Sequence, residues 1–191
     1  MNRAFICRIA QIVHLVALAI WLGAVAMSGV VAAIVFPLMR EVEPTLGAYA
    51  DYGGDHSVLA GGLVASRVFF AVDTIQFVCG SLALLALAVM IAGGYSLNTV
   101  ARVFRVIVLC TTLALLSYHL FIFMPGLQKT LSAYWSLAQL GDTAQADVFK
   151  DRFLASHTMA SRILGTLTIA VLVNIVLAGW TLTAPKKEPA S

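Results

Sequence analysis

The chain has 191 residues, 61% of them hydrophobic and only 11% charged, where an ordinary soluble domain carries about a quarter charged. The formal net charge is +3, and the basic residues lie beside apolar runs instead of forming a stripe, which argues for membrane topology and against nucleic-acid binding. Catalytic triads, phosphate-binding glycine loops and local zinc motifs are absent from the sequence, which lowers the case for an enzyme without closing it.

Four long apolar runs follow in chain order, at about 9–37, 63–93, 103–124 and 157–182. A hydrocarbon core ~30 Å thick needs about 20 helical residues, and lipid admits only helices or closed barrels as spanning structures. The runs are continuous, not alternating, so they predict an all-α polytopic membrane protein. Its four spans form one antiparallel bundle over residues 1–184.

Arg3 and Arg8 precede the first run as a secretory signal would, and Ala24–Ala26 resembles a small-residue cleavage site. The run continues well past a signal's apolar core of ~7–15 residues, so it reads as a retained span ending at Pro37. The loop 38–62 is rich in Gly, Asp and Tyr, with the length of an ordered lid or partner surface, or equally of a solvated loop. Span two ends at Gly93-Gly94, and Asn98 or Thr99 is placed to cap span three. Pro125-Gly126 closes that span. Leu127, Leu131, Tyr134, Trp135 and Ala138 then predict a short amphipathic helix at the outer interface. Asp142 or Thr143 caps a last helix that starts in water and enters the bilayer near Ala160. Residues 185–191 are polar and contain proline, a disordered tail.

Orientation follows from Lys and Arg. Arg3, Arg8, Arg102, Arg105, Lys186 and Lys187 lie on one side, against Arg40, Lys129, Lys150 and Arg152 on the other. The short basic second loop predicts cytoplasmic termini in a bacterial inner membrane, with the bilayer as partner and a homo-oligomer or membrane complex also open. Cys7, Cys79 and Cys110 form no CxxC pair and read as apolar packing residues.

Polar residues inside spans are costly and face the bundle interior. Gln11, His14, Trp21 and Ser28 lie on one stripe of span one, with Gly23 read as part of the same small-residue surface. Ser66, Asp73, Gln76 and Gly80 repeat the device in span two, Thr112 and His119 in span three, and His157, Ser161, Gly165 and Thr168 in span four. Asp73, ~10 Å below the interface, needs a partner or water. Arg162 and Arg67 enter from the same side and are the expected partners, with a proton or ion relay as the alternative. The histidines suggest haem b or copper. At 1.5 Å per residue, His14 lies ~8 Å inside the cytoplasmic edge and His119 roughly 25 Å from it. That leaves His119 and His157 as the pair able to share a ligand, with His56 or Asp55 from the loop as further candidates, while a chain without any cofactor remains the leading expectation.

From His14 through Trp21-Leu22-Gly23 to Phe36-Pro37, the stretch HLVALAIWLGAVAMSGVVAAIVFPLM resembles the opening helix of a bacterial family of unknown function related to the eukaryotic transmembrane protein 205-like proteins. Phe153, His157 and Ser161 at the start of the last helix are similar to that family's pattern, and Arg162-Ile163 stand where it often has an asparagine. The first-span HxxxxxxWxG also looks like the copper-resistance membrane proteins and the membrane protoporphyrinogen oxidase, a likeness confined to span one. The first resemblance implies a four-span membrane protein without settled activity, whose eukaryotic relatives are linked to metal-drug tolerance. Two functional expectations result: a non-enzymatic transport-related or accessory membrane protein, and a haem- or copper-handling protein using His119 and His157.

Overall fold

Asn2 opens the first helix by accepting the Ala4 N–H at 3.1 Å, and a continuous apolar run carries α1 from Arg3 to Val42. The computed structural model describes residues 2–183, among which there are helices and turns but no strand. The tail expected to be disordered at 185–191 lies outside the described residues. The other helices are α2 (His56–Ala92), α3 (Val100–Tyr118), α4 (Met124–Gln139) and α5 (Thr143–Thr183). Four rods are long and apolar enough to cross a bilayer, the third running through Val100–Gln139. The fold is an all-α four-helix membrane bundle.

The rods outrun the expected spans. Pro37 lies inside α1, which ends only at Glu43, a left-handed residue (φ 47°) whose N–H bonds Met39 O. A proline removes one N–H, and surrounding helices in membrane bundles tolerate that loss. Helix α2 starts seven residues before the expected span because Asp55 caps it, accepting from Ser57 and Val58 N–H. Thr99 is the N-cap residue of α3 but makes no side-chain cap bond, while Asn98 accepts from Arg102. Asp142 caps α5 through the Gln145 N–H at 3.1 Å, and α2 stops before Gly93, both as the sequence predicts.

Pro125-Gly126 does not close the third rod. Residues His119–Phe123 form a single π-helical turn in which Met124 N–H reaches back to His119 O. That wider turn puts Pro125 in the first turn of α4, where a missing N–H costs little. The expected amphipathic helix is therefore α4, continuous with α3, and it buries Leu127, Leu131, Tyr134 and Ala138.

Both termini of the described chain lie at one end of the bundle, and the loop 43–55 and the α4–α5 turn at the other, called here the loop end. The terminal half is tightly packed, with Leu18, Trp21, Leu87, Leu109, Leu116, Leu167 and Val171 all at or below 2% exposed. Lipid is as apolar as leucine, so such helices associate by close packing and interhelical hydrogen bonds. Gly80 is one close approach: a Cβ there would meet Leu113 at 2.8 Å and the Trp21 ring at 3.1 Å. Gly23 plays no such part. It is exposed, and a Cβ there meets nothing within 4 Å. Two residues from Trp21 is ~200° around a helix, so Gly23 leaves the stripe that buries His14, Trp21 and Ser28.

Candidate functional site

The loop half encloses a cavity of about 460 Å³, within the ~300–1,000 Å³ of small-molecule sites. Helices α1 and α2 wall one side, α4 and α5 the other. The deep end is set by Val25, Val72, Asp73, His119 and Thr168, and the far end by Phe36, Val58, Tyr134 and Lys150. From Asp73 to Val58 along α2 is fifteen residues, ~22 Å of helix.

The loop is tied to the loop end of α4 and α5. Tyr52 is 3% exposed and its hydroxyl bonds the Tyr134 hydroxyl at 3.2 Å. Gly53 N–H donates to Thr143 Oγ1, and His56 holds the loop by accepting Leu46 N–H and facing Tyr52 O at 3.0 Å. The loop 43–55 is thus held in place by hydrogen bonds, with most of its residues exposed.

A lateral mouth remains between α1 and α5. The cavity walls that stay exposed include Ala26 and Gly29 on α1 and Leu154, His157, Ser161 and Gly165 on α5. A Cβ on Gly29 or Gly165 would meet nothing within 4 Å. The small-residue stripe of the last span therefore borders an opening instead of a helix contact. Gly29 and Gly165 both lie well inside helices long and apolar enough to cross a bilayer, so the mouth opens on the side of the bundle.

The deep end carries a chain of polar contacts across three elements. Trp21 Nε1–H donates to Gln76 Oε1 at 3.2 Å, Gln76 Nε2 donates to Asp73 Oδ1 at 3.1 Å, and His119 Nε2 faces the same oxygen at 3.5 Å. Trp21, Gln76 and His119 are at most 1% exposed. His119 opens the π-turn, a distortion that recurs at functional sites, and its ring stacks on Phe123 with centroids 6.2 Å apart. The other ring nitrogen, Nδ1, is buried without a partner.

Asp73 is thus held by His119 and Gln76, and the expected pairing with Arg162 or Arg67 does not form. Both arginines are exposed, and neither lies within 4.0 Å of a carboxylate among the described residues. Arg67 is six residues from Asp73, ~240° around α2, and Arg162 precedes the inward-facing Ile163 on α5. His119 and His157 do line one cavity. The α4–α5 hairpin nevertheless sets His157 near the level of Pro125, about six residues or ~9 Å farther out than His119. His157 stacks on Phe153 instead. His14 lies in the terminal half, donating from Nδ1 to Ala83 O at 2.8 Å. Among the described residues no three His, Cys, Asp or Glu side chains converge on a point.

Three buried polar residues, Arg105, Asn174 and Thr181, escaped the sequence reading. Arg105, counted there as a loop cation, is 0% exposed. Its Nη1 donates to Thr181, Tyr95 and Gln11 at 3.2, 3.4 and 3.5 Å, while Nε and Nη2 have no partner. The signal was periodic: Arg105 shares a helical face with Leu109, Thr112 and Leu116, all buried. Asn174, also 0% exposed, ties α5 to α3 through Thr112 Oγ1 at 3.2 Å. An amide within a span is costly enough in lipid to have marked it.

Comparison with known protein families, curated proteins and solved structures finds no match to this chain. The class defined by fold and site is a multi-pass membrane protein with a laterally open cavity.

Proposed function

We propose that this chain is a non-enzymatic membrane protein that binds lipid-soluble small molecules in the loop-half cavity, in a transport-related or accessory role. The observation that carries the reading is a largely apolar cavity with a lateral mouth between two helices long and apolar enough to cross a bilayer, which favours ligands that arrive through lipid. Apolar walls with a few convergent polar groups are the usual form of a binding site. A molecule of a few hundred daltons should co-purify with the protein and appear by native mass spectrometry. Gly29→Phe with Gly165→Phe, which fills the mouth where each glycine faces open space, should abolish it without lowering the Tm. Retention of the molecule in a folded double variant would sink the reading.

A second reading takes haem b or copper at His119 and His157, on the ground that both line the cavity. Its test is an absorbance spectrum with metal analysis, in which a Soret band or bound copper disappears on His119→Ala. For localisation we propose the bacterial inner membrane with cytoplasmic termini, from the basic short loop. Reporter fusions after Asn98 and Ser191 should then report cytoplasm and one after Gly141 the opposite side. Asn98 and Gly141 on the same side would contradict the four-span arrangement.

A further inference from the structure

The polar atoms at the deep end of the cavity share one sense. Ser28 and Thr168 there, and Ser66 and Ser161 farther out, each donate their hydroxyl proton to a carbonyl of their own helix, at 2.6, 2.8, 3.0 and 3.2 Å. A hydroxyl with its one proton so engaged offers a neighbour only lone pairs. Asp73 is the acidic side chain in the cavity wall, and its Oδ2 accepts no hydrogen bond among the described residues. The donors stand elsewhere. Trp135 Nε1–H is unpartnered toward the far end, and Lys150, also at the far end, is taken by Asp147.

Resting on the cavity reading above, we propose that the site selects lipophilic amines in their protonated form. The ammonium N–H groups meet Asp73 and the Ser28 and Thr168 hydroxyl oxygens, and the apolar body lies toward Phe69 and Trp135. A carboxylate in a largely apolar cavity attracts a cation more strongly than it would in water. A neutral alcohol of the same shape keeps one donor and loses the charge. A carboxylate of the same shape meets only acceptors and a like charge.

The test uses the full chain in phosphatidylcholine nanodiscs with three matched fluorescent ligands: 2-(2-naphthyl)ethylamine, 2-(2-naphthyl)ethanol and 2-naphthylacetate. Binding to protein-free nanodiscs is subtracted as partitioning. The amine should bind saturably about tenfold tighter than the alcohol, and the carboxylate should show no saturable binding. Asp73→Asn should bring the amine to the alcohol's affinity and leave the alcohol unchanged. Equal affinity of amine and alcohol for the wild-type protein, or preference for the carboxylate, overturns the amine proposal while the cavity reading stands. No saturable binding of any of the three overturns both. The wild-type comparison is independent of whether Asp73→Asn folds.

Discussion

Trp21→Ala should lower the unfolding free energy in detergent by about 3–5 kcal/mol, as truncation of a fully packed aromatic residue does. Trp21 is 0% exposed, its ring stands against the face of Gly80, and its indole N–H is bound by Gln76. Two milder variants separate these contributions. Gln76→Leu strands both the Trp21 N–H and one contact of Asp73, a loss of about 1–3 kcal/mol. Trp21→Phe keeps most of the packing and removes the donor. In the double variant the two losses should add to less than their sum, because neither half of the bond is then stranded. Full additivity would mean that the 3.2 Å contact carries no coupling. A Trp21→Ala loss under about 1 kcal/mol would mean the terminal half is loosely packed.

That Trp21 faces inward was legible from periodicity, since Gln11, His14, Ala17, Trp21 and Ser28 recur at helical spacing and all are buried. The four-rod architecture was legible from run length for the same elementary reason: lipid satisfies no backbone group. What failed was punctuation. Pro37 and Pro125-Gly126 were read as stops, which is what they are in water-soluble helices. Here α1 absorbs the first, and the π-turn at His119 absorbs the second. The same turn places His119 against Asp73, a pairing that no count along a regular helix would suggest. For α5, His157, Ser161 and Gly165 were rightly grouped on one face, but sequence does not distinguish a face packed on a neighbour from one bordering a gap. That distinction depends on where α1 and α5 diverge.

The largest effect of opposite sign is expected at Arg105. A guanidinium keeps its charge whatever surrounds it, and removing such a group from water costs several kcal/mol unless an anion or excellent hydrogen bonding compensates. No carboxylate lies within 4.0 Å of it among the described residues. Its three bonds run from one nitrogen to neutral oxygens at 3.2–3.5 Å. The Tyr95 ring offers a cation–π contact at 5.8 Å, worth ~2 kcal/mol when desolvated. These partners join α1, α3, α5 and the α2–α3 loop, but they do not match what water gives a free arginine. Arg105→Met, of similar length and without the charge, should therefore raise the unfolding free energy by about 1–4 kcal/mol, the range seen when buried ions give way to apolar side chains. Thr181 loses little, since its hydroxyl already donates to Ala178 O at 3.0 Å. The measurement is equilibrium unfolding of both proteins in the same detergent. A gain would mark Arg105 as a residue retained at the expense of stability, as groups with a working role are. A loss of about 3 kcal/mol or more would instead reveal that the native state supplies Arg105 with a counter-charge, because breaking a compensated buried pair costs that much.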